Sequence, residues 1–185
     1  MKYLFFSDLH GSNRYGEILL NIIDRENPDL IVDLGDNYYH GPRNPLPLDY
    51  APLKVAEKLN SIANKTIFVK GNCDSDVDNL ISSFVSVPCA MVCIGKRKVF
   101  CTHGDNYNSG NIPPQLAEGD ILIYGHFHTG YIKNINNIIC VNPGSLSLPK
   151  NDTLNSYAVI DETGIYLKDL KSDIISKYLF DMEEK

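Results

Sequence analysis

An α/β fold of two packed sheets with helices outside is expected for this chain, on three observations. The first half alternates short apolar runs with amphipathic ones, the pattern of parallel β/α units. The second half is a succession of short apolar runs joined by tight turns, the pattern of antiparallel hairpins. Finally, 185 residues without a linker-like stretch, internal repeat or low-complexity segment are the size of a single domain, residues 1–185.

Tyr3–Phe6 reads as a buried strand that runs into the polar turn Ser7-Asp8-Leu9-His10-Gly11. Ser12 is placed to cap a helix whose Ile18, Leu19, Ile22 and Ile23 share one face, and Asn27-Pro28 ends it. Leu30–Leu34 is the second strand, parallel to the first through a right-handed crossover. A proline-rich loop over 41–49 precedes a helix that buries Val55, Leu59 and Ile62, and Thr66–Lys70 is the third strand. Ser75 and Asp78 have the spacing of a capping box ahead of Leu80, Ile81 and Phe84, which predicts a short helix. Ala90–Ile94 and Lys98–Thr102 flank Gly95-Lys96-Arg97 as a hairpin, and Ile121–Tyr124 is a further strand. Tyr131–Ile135 and Ile138–Val141 form a hairpin around Asn136-Asn137, a pair that tolerates positive φ. Tyr157–Ile160 and Ile165–Leu170 form a third around Glu162-Thr163-Gly164. Over 173–180 the periodicity fits strand and helix equally.

Composition narrows the function. A chain that is 43% hydrophobic and 22% charged is globular rather than disordered. Seventeen basic residues against twenty-three acidic ones give a net charge of -6, which argues against stable nucleic-acid binding. A phosphate-bearing substrate stays compatible if bound metal ions supply positive charge locally. No apolar run approaches the ~20 residues of a membrane helix, so no membrane partner is expected. Five cysteines without a disulfide framework, and a start that runs directly into a short strand, predict a reduced, cytoplasmic setting. Exposed hairpin edges allow a homo-oligomer.

The chemistry collects at the ends of the apolar runs. The first ends in Asp8 and His10, the second in Asp36, and the third in Asn72, Cys73 and Asp74; His103 and then His126 and His128 follow two later runs. Each of these corners carries a glycine, and four of the five histidines of the chain lie at them. Ligands of α/β sheets bind beyond the carboxyl ends of strands, where such loops converge. Imidazoles, carboxylates and an amide without converging thiolates suit Mn²⁺, Fe²⁺ or Zn²⁺ and exclude an all-oxygen calcium cage. The set is too large for one tetrahedral ion and suffices for two, with a carboxylate such as Asp36 bridging ions ~3.5–4 Å apart. Taken singly, a corner such as Asp8-Leu9-His10 reads more readily as a turn or cap than as a metal site; five together do not.

The segments Ser7-Asp8-Leu9-His10-Gly11, Gly35-Asp36-Asn37, Gly71-Asn72-Cys73-Asp74, Thr102-His103-Gly104 and Gly125-His126-Phe127-His128 resemble, in order, the signature of the calcineurin-like metallophosphoesterases. His40-Gly41-Pro42-Arg43-Asn44, the helix start at Ala51-Pro52 and Asn142-Pro143-Gly144-Ser145 further resemble the YfcE-type bacterial phosphodiesterases within that family. The resemblance implies a four-layer α-β-β-α sandwich and hydrolysis of small phosphodiesters by a hydroxide held between two divalent ions, Mn²⁺ first, with Mg²⁺, Zn²⁺ or Fe²⁺ as alternatives. It implies Asp8, His10 and His128 on one ion, Asn72, His103 and His126 on the other, and Asp36 bridging. Asp36, Asn72 and Cys73 would then sit at the reacting centre.

Cys73 departs from the family, in which most members carry histidine at this position, able to protonate the leaving oxygen. A thiol substitutes poorly for it, and close dications would bias the group toward thiolate; the other reading is a small residue packed beneath the site. His40 and Arg43 follow the bridging carboxylate and are expected to face substrate, arginine being suited to bidentate phosphate contacts; a solvated loop arginine is the alternative. Asp74 and Asp105 are expected to orient ligating imidazoles or to cap a helix. Tyr38, Tyr39 and Tyr107 are candidates to line a cleft. Two other function classes compete. A binding scaffold like the retromer subunit of this fold is disfavoured because all seven ligand positions carry coordinating residues. A protein-phosphatase-like phosphomonoesterase is disfavoured because its Gly-Asp-x-Val-Asp-Arg-Gly element is missing after Asp36.

Overall fold

The alternating first half becomes β1 (Lys2–Phe6), α1 (Asn13–Glu26), β2 (Leu30–Asp33), α2 (Pro52–Ser61) and β3 (Thr66–Val69). The computed structural model describes residues 1–180, and in it these three strands pair in parallel, as strand–helix–strand connections require. Helix α1 buries Leu19, Ile22 and Ile23, and α2 buries Val55, Ala56 and Leu59. Both pack over Leu4, Phe6, Ile31 and Phe68 on one face of the strands. Each such fully buried side chain contributes about 1.5–3 kcal/mol relative to exposure. Asn27 takes the left-handed conformation that ends α1, its N–H returning to Ile23 O at 2.8 Å. Ser12 stands at the N-cap position but does not cap, because its hydroxyl donates to Leu48 O in the proline-rich loop instead. The helix expected around Leu80 is a short 3₁₀ segment over Asp76–Leu80. Asp78 does accept the Ser75 N–H at 2.7 Å, but Leu80 is 83% exposed and offers no apolar face to extend a helix.

A two-residue strand β4 (Ser86–Val87), invisible to periodicity at that length, follows on the edge beside β3. Then come β5 (Cys89–Ile94), β6 (Arg97–Thr102), β7 (Ile121–Tyr124), β8 (Tyr131–Ile135), β9 (Ile138–Asn142), β10 (Ser156–Asp161), β11 (Gly164–Asp169) and β12 (Ile174–Leu179). The sheets run β12-β11-β10-β1-β2-β3-β4 and β5-β6-β7-β9-β8. The three expected hairpins are β5/β6, β8/β9 and β10/β11, and Asn136 and Asn137 turn the second with φ of 51° and 64°. The undecided tail is strand β12, an edge paired to β11.

Two features of the second half differ from a purely antiparallel reading. β10 and β11 join the first sheet, β10 lying antiparallel to β1. β6, β7 and β9 run parallel to one another, with antiparallel pairs only at the margins of their sheet. Every residue of β7 is buried, as suits an interior parallel strand. Between the sheets lies a core that includes Phe5, Val32, Leu34 and Val69 against Val99, Ile121, Ile123 and Val141. The far face of the second sheet (Phe100, Leu122, Tyr124, Ile138) is covered by Tyr107, Ile112 and Leu116. The fourth layer of the sandwich is therefore the irregular segment 103–120 rather than a helix. Among the described residues no helix is long and apolar enough to cross a membrane.

Candidate metal centre

Parallel strands from both sheets end at one edge, and their loops meet there. Asp8 and His10 follow β1, Asp36 follows β2 and Asn72 follows β3; His103 follows β6, and His126 and His128 follow β7. The first sheet thus supplies both carboxylates, the amide and one imidazole, and the second supplies three imidazoles. His10 Nε2 lies 3.1 Å from His128 Nε2, 3.6 Å from Asp8 Oδ1 and 3.8 Å from Asp36 Oδ2. Asp8 Oδ1 is 3.3 Å from His128 Nε2. On the other side, His103 Nε2 is 3.4 Å from Asp36 Oδ2, 3.0 Å from Asn72 Oδ1 and 3.3 Å from His126 Nδ1. All seven residues expected as ligands converge, in two groups that share Asp36.

The imidazoles are aimed by the backbone. Nδ1 of His10, His103 and His128 contacts the carbonyl oxygens of Tyr39, Leu34 and Leu148 at 2.7–2.8 Å. A carbonyl only accepts, so Nδ1 carries a proton and Nε2 is the nitrogen turned inward, where it offers a lone pair once the ring is neutral. His126 is reversed and presents Nδ1. Asp74 and Asp105 touch none of these rings. Asp74 instead accepts the N–H groups of Asp36, Asn37 and Gly71 at 2.7–2.9 Å, tying the loop after β2 to the loop after β3, while Asp105 is exposed. Ser145 and Ser147 both donate to Asp8 O, at 2.8 and 2.9 Å.

The corners are strained. Asp8, His10, Asp36, His126 and His128 all have φ between 49° and 65°, a left-handed region that costs non-glycine residues on the order of 1–3 kcal/mol each. Hydrogen bonds from Asp8 N–H to Gly35 O (3.0 Å) and from His10 N–H to Asp36 O (2.9 Å) help hold two of them. Gly71 permits the close approach of two loops, since a Cβ there would lie 2.2 Å from Asp36 Oδ1.

Electrostatics shows what the cluster lacks. Burial opposes charge on Asp8, yet His10 and His128 hold its carboxyl well below the usual range. Burial opposes protonation of His103, yet Asp36 and Asp8 raise it to about 10, and Asp8 similarly raises His10. Burial and the His103 charge lower His126. These shifts express one demand, positive charge between the buried carboxylates. Asp8 Oδ1 is buried without a hydrogen-bond partner. An acceptor left open and inward lone pairs as close as 3.1 Å fit divalent cations held by mixed nitrogen and oxygen donors. Asp8, His10 and His128 form a compact group that could hold a metal ion, as do Asp8, Asp36 and His103; a third, His10, Asp36 and Cys73, brings one thiol into the cluster, where the sequence predicted none.

Above the cluster opens a cavity of about 340 Å³ lined by Asp36, Asn72, Cys73, His126 and His128 and rimmed by Tyr39, Arg43, Asn44 and Lys150. Cys73 is half-buried, and its N–H donates to Asp36 Oδ1 at 2.7 Å. Without cations, burial and then the Asp36 charge push its thiol up to about 12, so a shift toward thiolate depends entirely on bound dications. His40 does not line the cavity: its ring packs against Tyr39 and Tyr50, with Nδ1 buried and unpartnered. Of the three tyrosines, Tyr39 alone reaches the cavity; Tyr38 is buried with its hydroxyl on Ser82, and Tyr107 packs on Phe100. Lys150 carried no signal in the sequence, because only the approach of the 148–153 turn to His128, through Lys150 N–H to His128 O (2.9 Å), brings it here.

Residues 1–164 match the calcineurin-like phosphoesterase superfamily domain. The chain belongs to that superfamily. It is 43% identical over 162 residues to the phosphodiesterase YfcE of Escherichia coli, covering 87% of this chain and 88% of that protein. The solved structure of the Escherichia coli YfcE phosphoesterase superposes with a TM-score of 0.92 at 39% identity, over 97% of this chain and 99% of that one. A probable metallophosphoesterase of Mycoplasma genitalium is 30% identical over 162 residues, covering 83% of this chain and 82% of its own length. Vacuolar protein sorting 29 of Cryptosporidium parvum (TM-score 0.65, 18% identity, 97% and 98% covered) shares the fold. Membership of this superfamily makes the chain a hydrolase of phosphoester bonds with a candidate metal centre.

Proposed function

We propose that the chain hydrolyses small phosphodiesters at a dinuclear centre, with Asp8, His10 and His128 on one divalent ion, Asn72, His103 and His126 on the other, and Asp36 shared. The observation that carries this is the pair of donor groups meeting at Asp36 on the floor of one cavity, with Asp8 Oδ1 left without a partner. Two bound divalent ions supply an acidified water and neutralise charge on the phosphoryl oxygens. Mn²⁺ suits the nitrogen and oxygen donors, as do Fe²⁺ and Zn²⁺, whereas Mg²⁺ prefers oxygen alone.

The protein's own groups do the rest. Backbone carbonyls hold three imidazoles in one tautomer, so no reorientation is needed when ligands engage. The Cys73 N–H and the Asp74 clamp keep Asp36 and Asn72 in place, and Cys73 faces the cavity where a leaving oxygen departs. Arg43 lies at the rim, positioned for substrate; His40 supports that loop through its ring contacts. The reading of 1–185 as one domain belongs to the same proposal, since donors come from both sheets and neither sheet makes the centre alone. Five cysteines, all free and two of them exposed, support a reducing cytoplasmic setting.

The test is reconstitution of metal-free protein with Mn²⁺, Mg²⁺, Zn²⁺ or Fe²⁺, assayed on bis(p-nitrophenyl) phosphate and p-nitrophenyl phosphate. The diester should be the better substrate, and Asp36→Asn should lower the rate at least about 100-fold by removing the shared carboxylate. Equal rates for Asp36→Asn and the unaltered chain would reject the assignment.

A further inference from the structure

We propose that the preferred substrate carries a second anionic group on one ester arm, a carboxylate or a phosphate, and that Arg43 and Lys150 bind it. The inference rests on the proposed dinuclear reading and adds the substrate's charge to it. Arg43 and Lys150 reach the same cavity from segments more than a hundred residues apart. Neither side chain has a hydrogen-bond or ion-pair partner among the described residues, although acidic residues outnumber basic ones in the chain. Backbone contacts hold both segments in place. The Lys150 N–H is fixed to His128 O at 2.9 Å, and Asn44 beside Arg43 donates to His40 O at 2.8 Å. A Cβ on Gly41 would lie 3.1 Å from Cys73 Sγ, so this loop rests directly against the cluster.

Charge balance then decides what the rim is for. In the proposed centre the positive charge of two dications would be matched by the Asp8 and Asp36 carboxylates, a hydroxide nucleophile and the single negative charge of a diester. A simple diester therefore offers no second anionic partner to Arg43 and Lys150, which stand exposed at the rim of the cavity. A second anion on the substrate supplies that partner. Arginine offers a planar fork to either carboxylate or phosphate, and lysine a compact charge, so the rim selects negative charge rather than one particular group. The cavity of about 340 Å³ lies within the range that holds a small molecule rather than a phosphate group alone.

The experiment uses p-nitrophenyl phosphodiesters that differ only in the end of the second arm: neutral, carboxylate or phosphate. With Mn²⁺-loaded protein, kcat/KM for an anionic arm should exceed that for the neutral arm roughly tenfold or more, chiefly through KM, and the ratio should shrink with added salt. Arg43→Gln with Lys150→Gln should bring the ratio toward one, and Lys150→Arg should retain it. A carboxylate preference without a phosphate preference, or the reverse, identifies which anion the rim reads. Calorimetry on Asp36→Asn and on the unaltered chain with methyl butyl phosphate and methyl 3-carboxypropyl phosphate, whose alkoxide leaving groups depart slowly, gives the same comparison from binding alone. Failure to hydrolyse any diester would sink the proposed function while the calorimetric ratio still decides this one. Equal affinity for the two diesters, or a ratio unmoved by the double substitution, overturns the inference.

Discussion

Histidine protonation and the Cys73 thiol are where single residues control this centre. In the metal-free chain His103 is raised to about 10 and His10 is raised as well, because buried carboxylates favour imidazolium more than burial opposes it. Near pH 7 metal uptake must therefore displace protons, and apparent affinity should rise as pH increases toward 10. Titration calorimetry of Mn²⁺ in two buffers of different ionisation enthalpy checks this: identical apparent enthalpies would mean that no proton leaves. Cys73→His places an imidazole at the cavity wall, where the thiol, pushed up to about 12 by burial and Asp36 in the metal-free chain and drawn toward thiolate by bound cations, is a poor proton donor in either state. Turnover of diesters with poor leaving groups should rise by about 10-fold or more, with less effect on nitrophenyl leaving groups. An unchanged rate in a folded, fully metallated variant would leave Cys73 as a packing residue. That seven donor residues would gather at the strand ends was legible from residue type and place along the chain, and the resemblance to the family paired them. The roles of Asp74, Lys150 and His40 were not, because each depends on which backbone group or loop lies alongside.

At the scale of elements, Glu26 ties the end of α1 to the first sheet. Its carboxylate, 5% exposed, meets Lys2 from β1 at 2.5 Å and Lys168 from β11 at 2.7 Å, and accepts the Tyr157 hydroxyl of β10 at 2.7 Å. Burial alone would raise its pKa, but the bonds from Lys168, Lys2 and Tyr157 hold it at about 2 against an ordinary value of 4.5. The folded state therefore gains from the ionised form above about pH 4.5 and loses that gain as pH falls through about 2. Glu26→Gln should destabilise the chain by about 2 kcal/mol at pH 7 and by less below pH 3, read from urea unfolding midpoints. A cost independent of pH would show that packing, not the ion pairs, is what Glu26 contributes. Element type was legible wherever a period ran long enough, as in α1 and the three hairpins. It failed for β4, two residues long, and for β12, where only pairing with β11 selects strand.

For the whole molecule, the consequence of the layout is that the candidate metal centre spans both sheets. Donor residues after β1, β2 and β3 face donor residues after β6 and β7, so cations bound as proposed would oppose separation of the sheets. Mn²⁺ at a hundred times its Kd should stabilise the folded state by about 2.7 kcal/mol, and Tm should rise by roughly 5–10 °C, with a chelator reversing it. A Tm unmoved by Mn²⁺ that is demonstrably bound would show that the folded chain holds the cations no more tightly than the unfolded one, against a centre assembled by the two sheets. The sequence by itself determined the parallel start of the fold, the hairpins, the two-sheet class and the inventory of donors, because periodicity, turn chemistry and residue type are local properties of the chain. Only the tertiary structure decided that β6, β7 and β9 run parallel, that β10–β12 extend the first sheet, and that backbone carbonyls rather than Asp74 or Asp105 orient the imidazoles. Those outcomes depend on which distant segments become neighbours, and strand adjacency and backbone hydrogen-bond partners leave no periodic mark on the residues that make them.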